Sequence, residues 1–522
     1  MDFPPAYYSH PLAQHAIGPV CPVAIFIDAV PYSHTDSIIG WWVINLVTGR
    51  RHLFCTLRKK SCCKCGCRGW CTFHVVFAFL RWSLEAAAKK RHPAIRQDGQ
   101  PWTDADVRVG RGTAADTEMS CAYCVMYVKG DWAEYAGIVG FLAWNDGVRP
   151  CFKCDCDGWN MQDLTGINPQ GLGEFTETTA DAYEEACRRC EKHLVMDKRT
   201  HAILCPLLES DQKRDGCRGF GLSHDPCLAA LGLAAGDRLE PSNYLLDVTS
   251  FWDIVQFPHP VLFWTRGEEG LTRHRNPLLS SRVLGISCVN CMVDILHTLY
   301  LGLFNVFCRI VVWSAFRASI WARASTIEEL VEASLVVMRD RYRRWFSNRR
   351  RQSKEGLTEV CDITRKMVGS VEAPQLKLKG AETWSFLLFL KDELEKDSFR
   401  LLPNHDRFLA ASRCLVGLVQ TWKAAAWRMT EGEIETCFGF FNRFVAVTSG
   451  VAWSEELAVP KRHLWIHVMR DMIHFGNPRY FACWVDEADN KQLKQCCRHV
   501  HQVNFDVSVL SGMRSLAALR SK

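Results

Sequence analysis

The order of the secondary-structure elements predicted between residues 22 and 131 constrains the fold more than any other feature of the chain. Residues 22–28 (PVAIFID), 37–47 (SIIGWWVINLV) and 51–57 (RHLFCTL) are rich in β-branched and aromatic residues, which predicts three strands. Residues 72–91 carry apolar side chains at helical spacing, and residues 121–131 predict a fourth strand. The predicted order is therefore strand, strand, strand, helix, strand.

Two of these predicted strands end on a carboxylate, Asp28 in the first and Asp131 in the fourth. In a ribonuclease-H-like sheet the first and fourth strands are neighbours, so the two carboxylates would lie side by side and could hold divalent metal ions. Cleavage of a phosphodiester by two metal ions needs acidic groups on such rigid supports. The alternative is that both residues only terminate strands in turns, where Asp is common.

Cysteine is unusually frequent, with 26 residues in the chain, and many lie in close-spaced groups. The N-terminus lacks the basic and apolar regions of a secretory signal, so we expect an intracellular protein, in which clustered cysteines bind metal more often than they form disulfides. The predicted zinc ligands fall in three groups: Cys62, Cys63, Cys65, Cys67, Cys71 and His74; Cys151, Cys154 and Cys156; and Cys187, Cys190 and His193. No group has the full spacing of a zinc finger, and buried reduced thiols are the alternative.

An arginine-rich segment, residues 339–354 (RDRYRRWFSNRRRQSK), is the best local candidate for contact with nucleic acid, because guanidinium groups suit phosphate and the interleaved aromatics could stack on bases. The predicted contacts are Arg341, Arg343, Arg344, Arg349, Arg350 and Arg351. The alternative is an ordinary solvated helix end. The net charge of +6 is modest for 522 residues, so a polyanion would have to bind such a local patch.

The predicted architecture is mixed α/β. Residues 1–150 form the first part of a ribonuclease-H-like core with a Cys-rich loop, residues 151–284 an inserted Cys/His-rich module, and residues 285–522 a helical region that completes the core. Within the helical region, Asp294 and His297 fall on one helix face, where they could bind metal or simply satisfy each other in the core. The apolar stretch TLYLGLFNVFCRIVVW predicts a buried helix because it is too short for a membrane span.

Several motifs resemble those of the CACTA superfamily of cut-and-paste transposases, most closely the Plavaka-like members of the Kyakuja-Dileera-Zisupton group. The most specific is GDWAEYAGIVGFLAWNDGVRPCFKC, an acidic segment that runs into a CxxC pair. DILHTLYLGLF is similar to the histidine-containing helix of that family, and PKRHLWIHVMRDMIHFGNPRYFACWVDEADNKQLK to its C-terminal region. These patches reach from about residue 22 to residue 495.

The resemblance implies a nuclease that acts on DNA with Mg or Mn at Asp28, Asp131 and a third acid, in a nuclear protein. Glu487 is the first choice for that acid by its position in the C-terminal patch, while Glu435 and Asp294 remain open. Such a protein can act as a homo-oligomer, a state the sequence does not specify. The chain has about twenty residues before the first strand, so we expect the upstream DNA-binding region usual in the family to be missing. The alternatives are a catalytically silent relative that binds nucleic acid or protein through zinc modules, and a zinc-stabilised interaction protein with no role on DNA.

Overall fold

The structure is a computed structural model that describes residues 2–64, 69–141, 144, 150–185, 264–267, 270–273, 276–281, 283–353, 355–501 and 503–520. The described α-helices, numbered in chain order, are α1 (Pro5–Tyr8), α2 (Pro11–His15), α3 (Trp70–Ala88), α4 (Asp104–Arg108), α5 (Trp132–Glu134), α6 (Phe304–Arg317), α7 (Ile327–Gln352), α8 (Arg365–Val368), α9 (Gly380–Leu394), α10 (His405–Ala424), α11 (Glu431–Thr448), α12 (Pro460–Phe475), α13 (Trp484–His499) and α14 (Phe505–Arg520). Segments of π-helix cover Tyr135–Val139 and Leu296–Leu303. The predicted mixed α/β fold with a mainly helical C-terminal half is confirmed.

Four strands form the main sheet in the order β3-β2-β1-β4. They are β1 (Val20–Pro31), β2 (Ser37–Asn45), β3 (Arg51–Arg58) and β4 (Ala122–Lys129). β1 runs antiparallel to β2 and parallel to β4, and β2 runs antiparallel to β3. The helix α3 connects β3 to the β4 side, so the predicted order of three strands, a helix and a strand is observed.

Among the described residues, two short strand pairs lie outside this sheet: β5 (Ile167–Asn168) with β6 (Gly171–Leu172), and β7 (Trp264–Gly267) with β8 (Gly270–Arg273). Buried side chains from Cys151 to Tyr183 join the same hydrophobic core as α6 and α12. This stretch belongs to the expected inserted module, residues 151–284, of which residues 186–263 lie outside the described part of the chain.

The prediction that β1 ends on Asp28 is wrong. The strand continues to Pro31 because Ala29, Val30 and Pro31 pair with Ile39, Ile38 and Ser37 of β2. Asp28 therefore lies inside a paired strand, opposite Gly40, and its position is fixed by ladder hydrogen bonds on both sides of the residue.

Both faces of the sheet are covered, which explains why β1 is a continuous apolar run rather than an alternating one. Ile25 and Ile27 point toward α3, where Phe77 packs edge-on against Trp41 of β2 with ring centroids 6.4 Å apart. The alternate residues of β1, including Phe26, point toward α13 and α14. α13 thus lies across the sheet on the same face as the side chain of Asp28.

A short extended segment lies beside β4, on the side away from β1. Cys291 bridges to Val128 in parallel orientation, and the backbone N–H of Met292 donates to the carbonyl of Val128 at 2.9 Å. The chain then passes Asp294 into the π-helical turn Leu296–Leu303 and α6. This connection carries Asp294 and His297 to the same end of the sheet as Asp131.

The apolar segment Leu296–Arg317 is long and apolar enough, by length and composition, to cross a membrane, with a mean hydropathy of 1.7 in its most apolar window. However, 72% of that window is buried inside the protein. A buried core helix passes the same test, so this segment is weak evidence for a membrane span, and its burial agrees with the predicted core helix.

Candidate functional site: an acidic cluster beside a Cys2His2 cluster

Four carboxylates from three different parts of the fold converge at one end of β1 and β4. They are Asp28 of β1, Asp131 and Glu134 of the turn after β4, and Glu487 of the first turn of α13. The four carboxylates lie close enough together that the charges of Glu487, Glu134 and Asp131 all raise the pKa of Asp28. We call these four residues the acidic cluster.

Crowding and burial make ionisation of this cluster costly. Burial first, and then the neighbouring carboxylates, raises the pKa of Asp28 from its ordinary value of 3.8 to about 8. Burial and the charge of Asp131 raise the pKa of Glu134 to about 7, and burial also raises the pKa of Glu487. Several neighbouring carboxyl groups with raised pKa values mark a site where a bound cation would stabilise their charged forms.

Local hydrogen bonds fix the first two carboxylates. Asp28 Oδ1 accepts the backbone N–H of Ala29 at 2.8 Å, and its Oδ2 accepts from the amide Nδ2 of Asn490 on α13. Asp131 is the N-cap of α5, where its Oδ1 accepts the backbone N–H of Glu134 at 2.8 Å. Asp131 thus lies in a turn after β4, as the alternative interpretation expected, and the same turn directs Glu134 into the cluster.

Within the described part of the chain, the side-chain oxygen of Asn490 is an unpaired hydrogen-bond acceptor beside these carboxylates. The residue is 1% exposed, and its Oδ1 has no hydrogen-bond partner among the described residues. A buried acceptor left unpaired costs free energy, which a hydrated cation would recover by supplying a water proton. Carboxylates with an amide oxygen are the donor set that Mg²⁺ and Mn²⁺ prefer, so these residues fit such an ion.

A buried ion-pair network holds α13 against the sheet. The ammonium group of Lys129, at the end of β4, pairs with Asp486 and donates to the carbonyl of Ala482 at 2.9 Å. Arg51 of β3 also pairs with Asp486, with its Nε 3.1 Å from Oδ1. Because Asp486 precedes Glu487, this network places the Glu487 side chain over the end of β1.

Asp294 was another candidate for the third acid beside Asp28 and Asp131, but both of its carboxylate oxygens already accept hydrogen bonds. Its Oδ1 accepts the backbone N–H of Cys483 at 2.8 Å, and its Oδ2 accepts from Nδ1 of His297 at 2.7 Å. The Nε2 atom of His297 lies 3.8 Å from Glu487 Oε1. Burial would lower the pKa of His297, but Asp294 and the acidic cluster raise it to about 9.

Glu435 is exposed on α11 and is not among the charges that act on Asp28.

A second cluster consists of Cys151, Cys154, His463 and His467, which we call the Cys2His2 cluster. All four residues are buried, and their ligand atoms lie within 4.8 Å of one another. The Sγ atoms of Cys151 and Cys154 lie 3.2 Å from Nε2 of His467 and of His463, respectively. The two histidine Nε2 atoms are 3.3 Å apart.

These distances fit a tetrahedral zinc ion. Two nitrogens bound to zinc at about 2.0–2.1 Å in a tetrahedron lie about 3.3 Å apart, the separation observed here. His463 Nδ1 lies 3.1 Å from the carbonyl oxygen of Met161, the outer contact that orients a zinc-bound imidazole through its other nitrogen. The backbone N–H of Lys153 donates to Cys151 Sγ at 3.3 Å. The cluster could therefore hold a metal such as zinc.

The predicted zinc ligands divide into those that the structure brings together and those that it does not. Cys151 and Cys154 lie in the Cys2His2 cluster, and Cys156 lies buried beside both thiols but outside the four-residue set. The half-buried residues of the Cys-rich loop that the structure describes are Cys62, Cys63, Cys71 and His74. The remaining predicted ligands, Cys65, Cys67, Cys187, Cys190 and His193, lie outside the described residues.

The sequence interpretation missed His463 and His467, Glu134, and Asn490. His463 and His467 are four residues apart on α12, so both face one side of the helix, and the HxxxH spacing was a usable signal. Glu134 stands three residues after an N-cap Asp, which also places the two on one face. Nothing in the sequence around Asn490 distinguishes it from a surface residue.

The arginine-rich helix α7 differs from expectation in its aromatic residues. Tyr342 and Phe346 are 1% and 5% exposed, and Trp345 donates its Nε1 hydrogen to Asp392 at 2.7 Å, so these rings anchor the helix and are not available to stack on bases. Their three- and four-residue spacing places them on the face that packs on α9.

The predicted arginines of α7 also divide into two sets. Three are paired with acids: Arg341 with Glu393, Arg344 with Asp340, and Arg349 with Glu355. Arg343, Arg350 and Arg351 are exposed and form no ion pair with a described residue.

No family model matches this chain, and no curated protein matches it.

Proposed function

We propose that this protein is a metal-dependent, transposase-like enzyme that cleaves DNA at the acidic cluster and transfers the freed strand end. The observation that carries the proposal is the convergence of Asp28, Asp131, Glu134 and Glu487 from separate elements into one crowded, partly buried site. Structural carboxylates are usually paired with cations, whereas here burial first, and then repulsion by the neighbouring carboxylates, raises the pKa of Asp28 to about 8.

The topology of the sheet supports a ribonuclease-H-like core. Such a core has three antiparallel strands, with the first also parallel to a fourth, and β3-β2-β1-β4 has this order and these directions. The segment at Cys291, bridged in parallel to β4, occupies the position of a further strand. In this arrangement the acids lie on β1, after β4 and on a late helix, as Asp28, Asp131 and Glu487 do here.

In the proposed reaction Asp28, Asp131 and Glu487 would hold the catalytic ions, and Glu134 would add a fourth carboxylate. Bound Mg²⁺ or Mn²⁺ would activate the attacking oxygen and stabilise the leaving oxygen of the phosphodiester. Water would first attack the phosphorus and break its bond to the 3′ oxygen, which leaves as a 3′-hydroxyl. That hydroxyl would then attack a phosphorus of the target strand, and the 3′ oxygen of the target would leave as a new 3′-hydroxyl. Asp294 orients His297 toward Glu487, and Lys461 at the start of α12 faces Asp131, so both side chains balance negative charge as it develops.

The Cys2His2 cluster has a structural role in this proposal. Cys151 and Cys154 flank Phe152, and His463 lies beside Leu464 and two residues after Lys461. Phe152, Leu464 and Lys461 all line the cavity next to Asp131. A zinc ion bound by these cysteines and histidines would therefore join two chain segments that are about 300 residues apart and hold both walls of the active site.

Contact with the DNA backbone is assigned to the exposed arginines of α7, Arg343, Arg350 and Arg351. Arginine contacts to phosphate position DNA without reading its sequence, and they weaken steeply as salt rises. Nuclear residence follows from this function.

The test is nicking of a labelled DNA duplex by the purified full chain in Mg²⁺ or Mn²⁺. We expect cleavage by the wild type, and its loss in Asp28→Asn, Asp131→Asn and Glu487→Gln, while Glu435→Gln, which removes an exposed acid from α11, retains it. Cleavage that survives the three cluster substitutions would refute the proposal. Salt-sensitive DNA binding without cleavage in either metal would favour the catalytically silent alternative.

A further inference from the structure

A cavity of about 480 Å³ opens beside the acidic cluster. Its walls come from the turn after β4, the π-helical turn Leu296–Leu303 and the first turns of α12. This volume falls within the range of about 300–1,000 Å³ typical of small-ligand sites. It is therefore large enough for a nucleotide unit, and it lies directly against Asp131.

The lining of the cavity combines two kinds of side chain. Asp131, His297 and Lys461 are polar, whereas Trp132, Trp144 and Leu301 are apolar. Trp144 is 52% exposed and Leu301 is 36% exposed. A ligand that carries both an anionic group and a flat apolar ring would match this lining.

The stem of Lys461 packs closely against Gly302. A Cβ atom on Gly302 would lie 2.7 Å from Lys461 Cδ and 3.0 Å from the carbonyl oxygen of His297, so a larger residue at position 302 would have to displace the lysine stem. Gly302 also has φ −104° and ψ −107°, outside the helical region. The Lys461 ammonium group forms no hydrogen bond or ion pair with a described residue, so it remains available for a phosphate.

We propose that this cavity binds one unstacked nucleotide of the DNA strand that the acidic cluster cleaves. The base lies against Trp132 and Trp144, and its phosphate lies between Lys461 and the metal-binding carboxylates. This inference rests on the proposed function, and it adds a subsite that selects DNA in which a base leaves the helical stack.

The physical reason is that an enzyme reaches a phosphodiester at the bottom of a recessed site more readily when the adjoining nucleotide leaves the stack. Unstacking costs a few kcal/mol and costs least at a mismatched base. Contact of the base with aromatic side chains offsets that cost and is tolerant of sequence, since every base has a π-face. A fully paired duplex would place no base in the cavity.

The experiment compares binding of the full-length protein to three short duplexes, in Ca²⁺ so that the DNA is held without cleavage. One duplex is fully paired, one has a single mismatch, and one has an abasic residue at the mismatch. We expect the mismatched duplex to bind at least about fivefold more tightly than the paired one, as expected from base–aromatic stacking. The abasic duplex should lose most of that gain.

Two substitutions and one control identify the cavity. Trp132→Ala removes ring surface, and Leu301→Trp fills the cavity without removing a core side chain; both should abolish the preference for the mismatch. Trp159→Ala should retain it, because Trp159 is 94% exposed and does not line the cavity.

Equal binding of paired and mismatched DNA by the wild type, or a preference that survives both Trp132→Ala and Leu301→Trp, would overturn the subsite. Cleavage in Mg²⁺, measured on the same duplexes, separates the two proposals. A cleaving enzyme without the preference keeps the proposed function and loses the subsite, whereas a protein that binds none of the three duplexes loses both.

Discussion

Replacing Asp28 by Asn should stabilise the metal-free protein, although it removes a proposed catalytic residue. The folded pKa of Asp28 is about 8 against an ordinary value of 3.8, because burial and the neighbouring carboxylates penalise the charged form. Between these two values the folded chain keeps the proton that the unfolded chain releases. The contribution of Asp28 to stability is therefore greatest below the ordinary pKa and falls as the pH rises to about 8.

The size of the effect follows from 1.36 kcal/mol for each pKa unit. Asn cannot ionise, so the gain in unfolding free energy from Asp28→Asn should be at most about 3 kcal/mol at pH 6 and about 5 kcal/mol at pH 7.5. The increase of about 2 kcal/mol between the two pH values is more informative than either gain, because packing differences between Asp and Asn cancel from it.

The assay is urea-induced unfolding of both proteins, followed by tryptophan fluorescence at pH 6 and pH 7.5. The buffer should be free of Mg²⁺ and Mn²⁺ but contain no chelator, which would also extract zinc from the Cys2His2 cluster. Glu435→Gln serves as the control for removal of an exposed acid. A gain from Asp28→Asn that does not grow with pH, or a loss of stability at both pH values, would refute the electrostatic account of the cluster.

Three further predictions concern the residues that support the site. Cys154→Ser should lower the zinc content of the purified protein, measured by elemental analysis, and abolish cleavage, whereas Cys361→Ser, which changes an exposed cysteine, should do neither. Lys129→Met should lower the unfolding free energy by up to about 3–5 kcal/mol because it leaves the buried Asp486 with Arg51 as its remaining cationic partner. A second change, Asp486→Leu, should restore much of the loss, and an unchanged urea midpoint for Lys129→Met would contradict this. Arg350→Ala should leave stability unchanged and reduce the slope of log affinity against log salt by about 0.9 on duplex DNA, so an unchanged slope would remove this residue from the DNA contact.

The strands β1 to β4 and the helix α3 were predictable because their physical signals are local. The run from Val23 to Ile27 is apolar on both faces, as a strand covered on both sides requires, and residues 72–91 have helical periodicity in a segment rich in Ala and Leu. The end of β1 was misplaced because Asp28 interrupts the apolar run, whereas pairing with β2 continues regardless of the side chain.

The predicted helical region, residues 285–522, includes α13 and α14, but the sequence did not yield bounds for these two helices. For α13 the reason is its buried polar face. Asp486 and Asn490, four residues apart, point into the protein, where Asp486 pairs with Lys129 and Asn490 donates to Asp28. Only Leu493 and Cys497 are apolar among the buried residues of α13, so the sequence does not show the broad apolar stripe of a typical core-packed helix. The polar contacts that α13 makes with the sheet thus made this helix, which carries Glu487, hard to recognise in the sequence.

Of the Cys2His2 cluster, the sequence analysis identified Cys151 and Cys154 as ligands but not His463 and His467. CxxC and HxxxH are each visible in the sequence, but Cys154 and His463 are about 300 residues apart, and spacing does not show which cysteine pair faces which histidine pair. Several other cysteine groups competed for the same assignment, and only the packing of α12 against the CxxC loop distinguishes among them.

The most direct test of the acidic cluster as a catalytic metal site is equilibrium binding of Mn²⁺ to the zinc-loaded protein, followed by electron paramagnetic resonance. We predict two Mn²⁺ ions for each wild-type chain, displaced by excess Mg²⁺, with binding lost in Asp28→Asn and Glu487→Gln and retained in Glu435→Gln. Equal Mn²⁺ binding by the wild type and the two cluster variants, or no binding by the wild type, would contradict the account.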